Sequence, residues 1–141
     1  MAPWQFGPLN FTVAGGGPRI VELKVPPRGR IRSIRMYQTG GDATTAEIRI
    51  VQSRAAARAM LDPGDPDFLA FDGTNPHVQS VFGVKIVPEE GLEETDKAYD
   101  YQNRDSGITT AARRLWLVIA PEGVGDKDYT LALLIADVLR D

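Results

Sequence analysis

Apolar side chains recur at every second position through much of this chain, and a β-strand with one buried face is the element that satisfies that period. Val21, Leu23 and Val25 share one phase while Glu22 and Lys24 take the other. Leu9, Phe11 and Val13 alternate ahead of Gly15-Gly16-Gly17-Pro18, and Ala46, Ile48 and Ile50 alternate with Glu47, Arg49 and Val51. The runs are short because 14 glycines and 10 prolines interrupt them. Proline fixes φ and removes a ladder donor, and glycine takes backbone angles that other residues avoid. About seven to nine such strands predict an all-β fold, a two-sheet β-sandwich of jelly-roll or Greek-key type.

Breaks in the pattern carry information of their own. In RIRSIRMYQ, Ile34 and Met36 are out of step with Ile31, and a bulge near Ser33 reconciles them. A second bulge is expected at Gly83, between Phe82 and Val84. The strand carrying Ile31 and the strand carrying Ile48 are expected to pair, joined by the turn Thr39-Gly40-Gly41-Asp42. Residues 53–61, SRAAARAML, form the one helical insertion, with Ser53 as N-cap and Asp62-Pro63-Gly64 as terminator. Leu115, Leu117 and Ile119 alternate with Trp116 and Val118, then Tyr129, Leu131, Leu133 and Ile135 alternate after a glycine-containing turn, a pattern that predicts a central β-hairpin. Both phases of the last strand are apolar, so a covering layer is expected on each side of it, one of them a neighbouring subunit.

At 141 residues the chain is long enough for one core. Residues 19–141 are expected to form a single sandwich domain. Residues 1–18 hold Trp4, Phe6 and Leu9 between prolines and are expected to be an arm that orders on a partner. The absence of cysteine excludes disulfides, thiolate nucleophiles and cysteine zinc sites. Neither a basic-then-apolar leader nor a run of about 20 apolar residues occurs, so no signal peptide or membrane span is expected. Charge is lopsided: residues 1–60 carry nine basic side chains against three acidic, and the rest carry seven against sixteen. Either the two halves form opposed patches suited to head-to-tail contact, or the fold interleaves them and the fields cancel.

Catalytic chemistry finds little to work with. His77 is the only histidine, no G-x-S-x-G elbow accompanies it, and its place after Pro76 suits a strand end. Glu89-Glu90, Glu93-Glu94 and Asp96 are paired carboxylates in a polar tract, where acids form a solvated face, and nothing sets two of them across a cleft. Asp62, Asp65, Asp67 and Asp72 are candidate ligands for a hard cation, although aspartate beside proline also starts turns, and the spacing is not that of an EF-hand. Gly15-Gly16-Gly17 lacks the Gly-Lys-Ser/Thr ending of a phosphate loop. Arg28, Arg30, Arg32 and Arg35 offer a partner-binding strip, yet Arg30 and Arg32 flank Ile31 as the wet face of a strand would, and a nucleic-acid partner is not expected of an acidic chain. No enzyme and no cofactor is expected.

The stretch VELKVPPRGRIRSIRMYQTGGDATTAEIRIVQS, followed by LWLVIAPEGVGDKDYTLALLIADVL, resembles small β-sandwich virion proteins of tailed bacteriophages. That resemblance implies a capsid decoration or cement protein, located in the virion. It implies binding to the major capsid protein or another virion protein as a homo-oligomer, for which a trimer is one form, through Trp4, Phe6, Leu9 and the arginines at 28, 30, 32 and 35. The final strands are also similar to those of carbohydrate-binding sandwiches, and in that alternative Trp4, Tyr99 and Tyr101 are the candidate stacking rings.

Overall fold

Alternating burial turns these runs into nine strands among the described residues. They are β1 (Trp4–Val13), β2 (Arg19–Lys24), β3 (Arg28–Gly40), β4 (Ala46–Val51), β5 (Ser80–Ile86), β6 (Leu92–Glu94), β7 (Tyr99–Gln102), β8 (Arg114–Pro121) and β9 (Lys127–Leu139), with one α-helix, α1 (Arg54–Ala59), and a short 3-10 turn at Ala14–Gly16. The computed structural model describes residues 4–26, 28–69, 71, 80–86, 91–94, 99–102 and 114–139. One sheet has the order β1-β9-β3-β6, with β7 also pairing β3; the other has the order β2-β8-β4-β5.

Every pairing is antiparallel, and the pairings are nested: β1 with β9, β2 with β8, β3 with β6 and β7, β4 with β5. The chain is in effect one long hairpin rolled across two sheets, which β3·β9 and β4·β8 pairing then closes. This is the jelly roll, in which the first strand of the chain lies beside the last.

The core lies between the sheets. Ile31, Ile34 and Met36 of β3 face Ile48 and Ile50 of β4, and Leu117 of β8 and Leu133 of β9 complete its centre. The expected bulge is where the phase slip required it: the β3·β9 register shifts between Ile31 and Ser33, so Arg32 and Ser33 both face outward while Ile31 and Ile34 both face in. In β5 the shift lies between the partners of Ile50 and Val51, at Val81, and Gly83 sits in register opposite Arg49; the bulge expected at Gly83 is two residues earlier.

Three expectations about pairing and order are corrected. β8 and β9 do not form a hairpin, because β8 bonds to β2 and β4 while β9 bonds to β1 and β3, and the connection through Gly123 and Gly125 carries the chain from one sheet to the other. For the same reason β3 and β4 are not neighbours: the turn after Gly40 crosses between sheets. The segment expected to be a separate arm is, over residues 4–13, an edge strand of the sandwich. Phe11 and Val13 are buried in the core, Phe11 stacks on Tyr129 with ring centroids 5.7 Å apart, and Trp4, Phe6 and Leu9 pack against the same core.

Helix α1 forms where the alanines predicted it, and the Ser53 side chain accepts a hydrogen bond from the Ala56 amide at 3.1 Å. Six residues do not hold a helix by themselves. This one docks on the outer face of the second sheet, where Ala56, Ala57 and Met60 cover Val51, Trp116 and Val118. The strand buried on both faces is therefore β8, under a helix of its own chain. The outer phase of β9 is open, with Leu134 36% exposed and Thr130, Ala132 and Ala136 half-buried.

Candidate functional site

The structure distributes the sequence candidates over three environments. Tyr101, a candidate stacking ring, is buried on β7 and donates its hydroxyl to the Pro26 carbonyl at 3.0 Å. Desolvation holds that phenol neutral by pushing its pKa above the usual tyrosine value. It cannot serve as an exposed platform, because it pairs with Gly29, on the inward phase of β3 that Ile31 shares. Trp4 is half-buried and stacked on Phe6, with centroids 6.5 Å apart. The side chains of Tyr99 and Arg28, and His77, Glu89, Glu90, Asp96 and Asp72 entirely, lie outside the described residues.

The aspartates after α1 make turns. Asp62 accepts from the Gly64 amide at 2.9 Å and Asp65 accepts from the Asp67 amide at 2.8 Å, the Asx geometry in which a short carboxylate satisfies its own backbone. Asp67 is buried. Among the described residues no three acids or histidines come together as a metal cage.

The arginines of β3 show how the two charged halves meet. In register, Arg35 lies opposite Glu93 of β6 and Arg30 lies opposite Asp100 of β7. Both register pairs set a base of the first half of the chain across from an acid of the second half. Arg32 differs. It is the bulge residue, exposed, with no Cα partner in β9.

Two surfaces follow from this arrangement. The first is the outer face of the β1-β9-β3 sheet, with Leu134 at its centre across from Ser33, Ala132 and Ala136 above and below, and Arg32 beside it. The second is the loop after α1. There Phe68 and Leu69 are each 40% exposed, and Leu69 holds φ at +53°, a left-handed angle that costs a branched side chain on the order of 1 kcal/mol or more. The loop is braced: the Leu69 amide donates to the Met60 carbonyl at 3.0 Å, the Phe68 amide to Asp65 and the Phe71 amide to Leu69. Beneath it, buried Arg49 of β4 donates to the Phe71 carbonyl. An apolar pair is exposed on a hydrogen-bonded loop.

Sequence reasoning missed two buried cations. Arg49 sits on the phase of β4 that faces away from the core, but the loop after α1 covers it. Lys127 is fully buried and donates from Nζ to the Val124 carbonyl at 3.1 Å. Its signal was present, since Lys127 shares the inward phase of Tyr129 and Leu131. No protein-family model matches this chain, and no curated protein matches it. Among the described residues no helix is long and apolar enough to cross a membrane.

Proposed function

We propose that the chain is a virion structural protein, a decoration or cement protein that binds the shell of a phage head through its major capsid protein or another virion protein, and reinforces it as a homo-oligomer. The observation that carries this reading is the jelly-roll topology, an architecture that recurs in viral capsid domains and in lectins. A sandwich of this kind without cysteine folds in any redox compartment and supplies broad sheet faces for repeated contacts, where many modest interfaces add through multivalency. The carbohydrate-binding alternative asks for at least two exposed rings on one surface. Among the described side chains Tyr101 is buried and Trp4 is half-buried and stacked on Phe6, so the two candidate rings described do not form such a surface.

The test is co-sedimentation of the purified chain with empty phage shells, followed by heating of the decorated shells. Saturable binding that raises the temperature at which shells disrupt is the expected result. A chain that stays in the supernatant but is retarded on a polysaccharide matrix overturns the reading.

A further inference from the structure

We propose that two copies of this chain exchange β1, the strand of each filling the place beside β9 in the other. Such an exchange supplies an interface for the homo-oligomer of the proposed function. It does not rest on any shell and is tested without one, so either reading can fail alone.

β1 is the part of the sandwich that can leave as a unit. Among the described residues it hydrogen-bonds to β9 alone, at the edge of its sheet. The place it leaves cannot stay open, because Phe11 and Val13 are buried in the core and Trp4, Phe6 and Leu9 pack against it. That place is shaped for one strand in one register: Phe6 lies opposite Leu133, Leu9 opposite Leu131, Phe11 opposite Tyr129 and Val13 opposite Lys127. The strand with that pattern is β1 itself, so a second copy brings the occupant residue for residue. Exchange of an identical element keeps every such contact and changes only which chain supplies it.

What differs between the closed and the exchanged chain is therefore the connection from β1 to β2, which runs from one sheet to the other through the 3-10 turn, Gly17 and Pro18. Ala14, Gly15, Gly17 and Pro18 are exposed. Straightening the turn forfeits the bond from the Gly17 amide to the Ala14 carbonyl at 3.1 Å and that from the Gly15 amide to the Asp126 carboxylate at 2.8 Å, groups that water can satisfy at the surface. The bond from the Arg19 guanidinium to the Thr12 carbonyl is remade between chains. Five straightened residues reach about 17 Å, against about 10 Å between stacked sheets, so the hinge can deliver β1 to a neighbour. A closed chain holds its own β1 at an effective concentration on the order of millimolar, so exchange prevails where copies are that crowded or where the hinge cannot close. Gly17 governs closure: its φ is +59°, and a Cβ there would stand 2.6 Å from Val13 Cγ1 and 3.1 Å from Pro121 Cδ.

The experiment has two arms. In the first, analytical ultracentrifugation compares the full chain with Gly17→Ala, and circular dichroism checks folding. Alanine disfavours the closed turn at least ~10-fold per hinge and a dimer opens two hinges, so the variant should dimerise at ~100-fold lower concentration with its β spectrum kept. A variant that stays monomeric, folded or unfolded, overturns the inference. The second arm leaves the hinge intact. The Thr12 hydroxyl donates to the Asp128 carboxylate at 2.5 Å across β1 and β9, and the chain has no cysteine of its own. Chains carrying Thr12→Cys and chains carrying Asp128→Cys, denatured together and refolded at about millimolar concentration, should form disulfides between position 12 of one chain and position 128 of the other. Those links should exceed like-with-like links at least ~10-fold, because only exchange sets the two positions side by side. The double variant, refolded dilute, should close the same disulfide within one chain. Closure there without an excess of mixed links in the mixture overturns the exchange, and failure to close in either removes β1 from beside β9 and the inference with it.

Discussion

Replacing Phe11 with alanine separates an edge strand from an arm. Phe11 lies on β1, 8% exposed, and stacks on Tyr129 at an interplanar angle of 27°. A buried phenylalanine removes roughly 150 Å² or more of apolar surface from water, worth about 4 kcal/mol at 25 cal/mol per Å². Partial collapse of an edge strand into the gap recovers some of that, so a loss of about 3 kcal/mol is expected, at the low end for Phe→Ala in a core. Unfolding entropy for a chain of 141 residues is about 0.3 kcal/mol/K, so the melting temperature should fall by about 10 °C. Urea unfolding followed by tryptophan fluorescence reads the free energy and calorimetry reads the temperature. Gln5→Ala, on the solvent phase of the same strand, should stay within about 0.5 kcal/mol of wild type. If Phe11→Ala leaves both midpoints unchanged in the isolated chain, β1 does not belong to the sandwich, and the nested topology argued from it fails.

Other positions give sharper, smaller readings. Gly41 holds φ at +85° and a Cβ there would collide with the Asp126 carbonyl, so Gly41→Ala should destabilise by more than about 2 kcal/mol in the same urea titration. Ser53→Ala removes the cap of α1 and should cost about 1 kcal/mol, with a comparable loss of protection for the amides of α1 in hydrogen exchange. Tyr101→Phe leaves the Pro26 carbonyl without its donor and should cost about 1 kcal/mol by denaturant unfolding. Burial raises the phenol pKa of Tyr101 and pushes that of Tyr129 up to about 12. An unfolded tyrosine near 10 releases its proton first, so stability should hold below pH 10 and decline as pH rises from 10 towards 12. Ultraviolet titration should then show tyrosines that ionise only together with unfolding; ordinary titration of all of them in the folded protein refutes their burial.

Strand content and facing were legible because they depend on local period alone. The Ile31-to-Ile34 phase slip located a bulge to within one residue, and the alanines with Ser53 located the helix and its cap. The candidate surfaces were legible only in part. Phe68 and Leu69 stand out as an apolar insert among aspartates, but that they are exposed depends on a loop braced through the Met60 carbonyl and supported over Arg49, contacts between elements far apart in sequence. Tyr101 resembled a surface ring because its neighbours are polar, yet pairing with β3 turns it inward.

The sequence by itself determined an all-β chain, the inward phase of β1 to β4, β8 and β9 and the place of the one α-helix, since period-2 alternation and capping chemistry act within a few residues. Only the tertiary structure decided which strand lies beside which. Alternation says that Leu117 and Leu133 both face a core, and it says the same whether β8 and β9 are neighbours in one sheet or partners across two. That choice belongs to the closing of a nested ribbon in which β1 pairs with β9 more than a hundred residues away. Loop-closure entropy and the pooled burial of both sheets settle it, and no short window of sequence contains either.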